Sequence, residues 1–383
     1  MKKRVVSLML VLSMALSLGA CGKKDEVAEE LPVEEDTATE EDQEAVEVVD
    51  ESLAFFDQVS EDGRVRSYLT GEWVDAKYGR QRPVAVMIEN TKAALPQYGI
   101  GNAGVIYECV VEGGITRMMA IFDDYTGLDQ IGNVRSSRPY YVMYASEYDA
   151  IYMHAGGNPA AFELIDGGLV ENLNALKLEG KKGSAATYRT GTSEHTLYTN
   201  SQGIDIGLEK MGYDMSLPSN YEPHFKFAAN GNSLENGTDC QALQLYYYTN
   251  KPYWIYNEDD GLYYRYEFNQ KQVDAISGKQ LTAKNIILQN VDWFTYAGSQ
   301  YLGYYLSNNT GTGKYITNGK MIDIVWSKDG DSSVTHYYDA NTSEEIQLNV
   351  GTTWIQACQG AGEGNYTGDN QFYANKSDFS KAK

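Results

Sequence analysis

The chain has 383 residues and carries 53 Asp+Glu against 31 Lys+Arg, a formal net charge of −22. Such a chain lacks the basic stripe that phosphate backbones need, which argues against nucleic acid as the main partner and against a body lying on anionic lipid. The acidity is concentrated, because residues 22–62 hold 17 acidic side chains and two lysines.

Residues 1–20 read as a signal peptide. Lys2-Lys3-Arg4 is followed by a short apolar run, Val5 to Leu18, too short for a hydrocarbon core of about 30 Å. Leu18-Gly19-Ala20 leads into Cys21 in a lipobox pattern, so Cys21 is expected to be lipidated. Two acyl chains suffice for stable anchoring. The chain is thus expected on the outer face of the cytoplasmic membrane, with the bilayer as its first partner. Residues 21–62 are expected to be a lipidated, acidic, unstructured stalk, since they bury too little apolar surface to offset chain entropy.

A first domain is expected over 68–215. Val84–Ile88, Val105–Val111, Thr116–Phe122 and Ala150–His154 are near-continuous apolar runs. Helical stretches follow at Pro139–Glu147, Pro159–Ile165 and Gln202–Met211. Apolar strands with intervening helices predict an α/β domain whose sheet is covered on both faces. Glu112-Gly113-Gly114 joins the second and third strands as a hairpin, which makes the sheet mixed.

Polar residues gather at the strand ends. Arg135-Ser136-Ser137-Arg138-Pro139 sets two guanidinium groups beside a helix start, a natural anion site. His154 ends an apolar strand before two glycines, and His195 lies in Ser193-Glu194-His195-Thr196. Arg117 is a further candidate ligand-binding residue. Glu108 and Glu112 would lie about 13 Å apart along one strand, beyond the spacing of glycosidase carboxylate pairs. As an enzyme, the protein would use His154 or Glu112, with Glu108, as acid and base. The structural alternative is that the arginines neutralise Glu108, Glu112 or Asp149 inside the domain. His224 and His336 read as loop or strand surface positions.

The stretches Arg82–Asn90, Tyr107–Arg117, Ile131–Pro139, Tyr148–Gly157 and His195–Thr199 together resemble the YerB-like lipoprotein family. The resemblance implies an extracytoplasmic lipoprotein with an N-terminal and a smaller C-terminal domain, both of unknown function. It implies no reaction. Cys109 and Glu194-His195-Thr196 depart from the family pattern.

Residues 216–239 read as a connection, 240–360 as a mainly-β domain and 361–383 as a tail. Short strand-like runs separated by Asn, Asp, Gly and Ser clusters predict an antiparallel sandwich or barrel. Of the 31 tyrosines, 17 fall between 240 and 373, which suits cross-strand packing or an interaction surface. Cys109, Cys240 and Cys358 are too few and too scattered for a disulfide framework, and a single long-range bridge is left open. No metal-ligand spacing, nucleotide loop or nucleophile elbow is present, and no cofactor is expected. The leading expectation is a lipoprotein that binds an anionic envelope ligand, a muropeptide carboxylate or a teichoic-acid phosphate. The alternatives are an envelope glycan hydrolase and a protein-interaction scaffold using the tyrosine-rich domain.

Overall fold

The computed structural model describes residues 51–383, apart from 359, 363 and 365. The candidate signal peptide, Cys21 and most of the acidic stretch lie outside the described residues. The long strands form where apolar runs were expected: Val84–Glu89, Val105–Val110, Thr116–Phe122 and Ile151–His154, all fully buried. Helices span Pro139–Ser146, Pro159–Asp166 and Ser201–Met211. Asn158 and Asn200 cap the last two, each side chain accepting from the backbone N–H three residues on.

These strands belong to one mixed eleven-stranded sheet that continues into the second half of the chain. Thr353–Cys358 is the bridge. It pairs in parallel with Val105–Val110 on one side and with Asn285–Asn290 on the other. Beyond Asn285–Asn290 the sheet runs on antiparallel through Asn309–Thr317 and Lys320–Lys328. On the other flank, Val105–Val110 and Thr116–Phe122 form the expected hairpin. Val84–Glu89, Ile151–His154 and Asn172–Asn174 follow.

Two layers cover the sheet. The Pro139 helix lies on one face with three buried tyrosines. Tyr144 stacks on Tyr107 with ring centroids 4.3 Å apart, and the Tyr140 hydroxyl donates to Val110 O at 2.8 Å. A six-stranded sheet lies on the other face, led by Ala242–Gln244, Tyr253–Asn257 and Leu262–Glu267. Trp254 of that layer packs edge-on against Trp354 of the large sheet, centroids 5.1 Å apart. The result is an α/β N-terminal domain joined to a smaller mainly-β one.

Several expectations change. Folding begins before residue 62, with a helix over Glu51–Phe56. Phe55 and Phe56 are buried, and Phe55 stacks on Phe227 at 5.8 Å. Two adjacent phenylalanines anchor this acidic segment in the core. The 361–383 tail is also partly ordered: Gln371–Tyr373 pairs with Ala242–Gln244, and a helix over Lys376–Ala382 buries Phe379. The second half is no closed barrel, because its strands divide among several sheets. His224 is not a surface residue. Its side chain is fully buried, stacked on Tyr148 and donating from Nε2 to Glu147 at 2.6 Å. His336 is exposed, as expected. The three described cysteines are free and buried.

Candidate functional site

Arg117 sits in the middle of a row. On adjacent strands it pairs with Glu89 on one side and with Cys109 on the other, so these side chains share one face of the sheet. The segment after Asn133 runs beside the same strand ends, with Val134 bridged to Ile88 and Ser137 to Gly157. This course brings Arg135 and Arg138 to the Arg117 row. A short turn over Glu194–Thr196 brings His195 in from above.

The charges then sort into pairs. Arg138 grips Glu112, its Nε lying 2.8 and 3.0 Å from the two carboxylate oxygens, with Nη2 also on Oε2. A fork-on-fork contact of this kind is the strong form of an ion pair. Burial pushes the Glu112 carboxyl up, but the hydrogen bonds and charge of Arg138 outweigh it and hold Glu112 below the usual range. Arg135 lies between Glu89, at 3.5 Å, and Glu194, at 3.3 Å. His195 donates from Nδ1 to Glu89 Oε1 at 2.7 Å. The arginines flagged by their spacing are therefore largely neutralised inside the domain. Asp149, another suggested partner, pairs with Arg82 instead.

Arg117 has no carboxylate within ion-pair distance among the described residues. Its Nη1 donates to Ser136 O at 2.7 Å, and its Nε and Nη2 meet no acceptor among those residues. The side chain is nearly buried. Burial, together with the neighbouring Arg138 and Arg135 charges, pulls its pKa down to about 10.

Aromatic side chains frame this cluster. Arg138 lies 5.3 Å from the centre of the Tyr301 ring, and Leu302 N donates to Glu112 Oε1 at 3.3 Å. Both come from the hairpin Trp293–Thr295 and Leu302–Tyr304, which stacks Tyr304 on Tyr140 at 4.0 Å. Tyr246, Tyr248, Tyr301 and Tyr305 are exposed, whereas others of the second half, such as Tyr247 and Tyr263, pack in the interior.

His154 does not join the cluster. It is fully buried, with Nδ1 2.8 Å from Gly156 O and Nε2 3.2 Å from Asn172 Oδ1. Burial lowers its pKa, only partly offset by these two bonds. A ring with both nitrogens engaged and no solvent contact holds the strand end in place; it cannot exchange protons with a substrate. Glu108 faces the opposite side of the sheet. Its Oε2 accepts from Arg265 Nη2 at 2.8 Å and from Gln356 at 2.6 Å, and its Oε1 accepts from Asn90, Thr116 and Asn250. Glu267 completes this sealed network. The acid and base assigned to a hydrolase thus lie in different places, and ionised Glu112 is a poor proton donor. A third buried group, Glu147 with Lys328 at 2.8 Å and His224, escaped the sequence reading because its members are far apart in the chain.

The fold and site together define a two-part mixed α/β protein with an arginine–carboxylate cluster on one sheet face. Residues 69–214 match the model described as "Protein of unknown function (DUF3048) N-terminal domain", and residues 243–355 match its C-terminal domain. The two matches together cover more than half of the chain, which belongs to this family. It is 32% identical over 157 residues to "Putative lipoprotein YerB" of Bacillus subtilis (strain 168). That match covers 41% of this chain and 46% of the relative, so it spans about half of the relative's length. The fold is similar to the crystal structure of YerB protein from Bacillus subtilis, with a TM-score of 0.67 and 24% identity. This likeness covers 76% of this chain and 96% of the other.

Proposed function

We propose that the chain is an extracytoplasmic lipoprotein, anchored through Cys21, whose folded body binds an anionic cell-envelope ligand at Arg117. The lipobox residues and the name of the Bacillus subtilis relative support the anchor. Replacing Cys21 with Ser and following incorporation of a palmitate analogue tests it, since the variant should lose both the label and membrane association.

The ligand reading rests on one observation: Arg117 is nearly buried and, among the described residues, lacks the ion-paired carboxylate that Arg135 and Arg138 have. Arg135, Arg138 and His195 frame the anion and fix the charge around it. A planar guanidinium matches a carboxylate best, and the exposed tyrosines suit stacking on a sugar. Both favour a muropeptide carboxylate over a teichoic-acid phosphate.

Calorimetric titration of the purified protein with muropeptides and with teichoic-acid fragments tests the reading. Saturable muropeptide binding that weakens at least tenfold in Arg117→Met is expected. Binding of the teichoic fragment alone would move the assignment to a phosphate. No binding of either, or binding indifferent to Arg117→Met, would overturn it.

A further inference from the structure

A cavity of about 520 Å³ lies where the turn after Asn90 meets the turns of the six-stranded sheet. Three lysines line it: Lys92 from the first half of the chain, and Lys251 and Lys383 from the second. None of the three has a carboxylate within ion-pair distance among the described residues; Lys251 and Lys383 instead lie over the Tyr246 and Tyr253 rings. Asp369 also lines the wall. On a body that is acidic overall, three lysines facing one hollow without acidic partners form a local positive field.

Backbone strain is concentrated at the same place. Lys251, Phe268 and Asn269 have φ of 43°, 48° and 60°, and all three line the cavity. Asn tolerates the left-handed region, but a bulky Phe there is an outlier. Phe268 and Asn269 are the two central residues of the tight hairpin that pairs Glu267 with Gln270, a turn that takes positive φ at both positions and fixes this part of the wall. Here Phe268 N donates to Asn250 O at 3.3 Å, tying the two strained turns together.

The wall is also preorganised from below. Lys92 follows Asn90 by two residues, and Lys251 follows Asn250 by one. Both asparagines donate from Nδ2 to Glu108 and Glu267 in the sealed network. The Oδ1 of Asn250 is buried and has no partner. The two lysines are thus carried on segments locked to a common buried anchor, which sets their spacing before any ligand arrives.

We propose that this cavity is a second ligand site, selective for a phosphate ester on a small polar body such as a polyol or sugar. Lysines supply point charges suited to phosphate, whereas no arginine fork for a carboxylate is present on this wall. The amides of Asn269 and Gln371 and the Tyr246 and Phe268 rings provide polar and apolar contacts for the neutral part. This inference is independent of the Arg117 reading.

The test is calorimetric titration of the whole protein with glycerol 3-phosphate and glucosamine 6-phosphate, with glycerol and glucosamine as controls. Saturable binding of at least one phosphate and of neither control is expected. Lys92→Gln combined with Lys251→Asn should weaken it at least tenfold; Asn is chosen because it accepts the positive φ at 251. Lys92→Gln alone, in an exposed turn, should weaken it at least threefold, which keeps the test valid if the double variant folds poorly. Arg117→Met should leave this binding unchanged. The proposal is overturned if neither phosphate saturates, if Lys92→Gln has no effect, or if Arg117→Met abolishes the binding.

Discussion

Arg265 reaches Glu108 across the join between the two halves of the chain, with Nη2 2.8 Å from Oε2 and neither side chain touching solvent. The guanidinium also lies 4.5 Å from the Trp354 ring centre and 5.1 Å from that of Trp254. Removing one member of such a pair strands the other charge in the core. Glu108→Ala should therefore cost about 3–5 kcal/mol. The double replacement Glu108→Met with Arg265→Met should recover most of it, because both desolvation penalties vanish together. Urea unfolding of the three proteins measures this; a single-variant loss below about 1 kcal/mol would contradict the buried pairing.

Glu267 makes stability depend on pH. Burial pushes its carboxyl up to about 8, with Arg265 opposing and the Glu108 charge adding to the rise. In the unfolded chain it titrates near the usual 4.5. Between these values the native state holds the extra proton, so this contribution is complete below pH 4.5 and is lost as pH rises through 8. The slope should reach up to about 1.4 kcal/mol per pH unit. Urea midpoints of wild type and Glu267→Gln from pH 5 to 9 isolate it: the difference between the two curves should fall across that window. A constant difference would show that the carboxyl is already ionised in the native protein.

Arg117 and Arg138 should respond oppositely to the same substitution. Arg138→Met breaks a bidentate contact and leaves Glu112 half-buried and unpaired, at a cost of about 2–4 kcal/mol. Arg117→Met removes a desolvated charge that has no carboxylate partner, so the ligand-free protein should lose little or gain stability. Thermal melts of both variants decide the matter. A large loss for Arg117→Met would mean that its interactions within the protein already compensate its charge.

The three described thiols should resist alkylation in the native protein. Burial pushes Cys240 and Cys358 up to about 12, and Cys109 higher still. At neutral pH almost no thiolate forms, and access is closed as well. Site-resolved mass spectrometry after iodoacetamide treatment should find these positions unmodified, and all three modified once urea is present.

The strands of the first half were legible because they are fully buried and so read as unbroken apolar runs. The Pro139 helix was legible because a proline at its first position needs no hydrogen-bond partner. Asn309–Thr317 is not among the strand-like runs legible in the sequence, because Gly311 and Gly313 interrupt its pattern. In the structure Gly311 lies flat against Trp326, and a Cβ at Gly313 would come 2.1 Å from Leu288 O. Those glycines mark close approach within a sheet. The Arg135–Arg138 pair is visible by spacing, and Glu112, which grips Arg138, is among the carboxylates named beside it; the neutralisation of Arg135 depends on Glu89 and Glu194, which only folding brings near. Arg117 is named as a candidate, yet its lack of a carboxylate partner among the described residues follows from where folding places their carboxylates, which no local pattern encodes.

The parallel strand Thr353–Cys358 has a consequence for synthesis. Gln356 bonds Glu108 across 248 residues of sequence. Until this late segment is in place, Val105–Val110 keeps one apolar edge without its ladder of hydrogen bonds. A polypeptide cut short before Thr353 would leave that edge bare, an adhesive surface for other chains and a handle for proteases and chaperones. The body thus remains open to quality control until nearly all of it has been made, and the strand that closes it certifies that the chain is long enough.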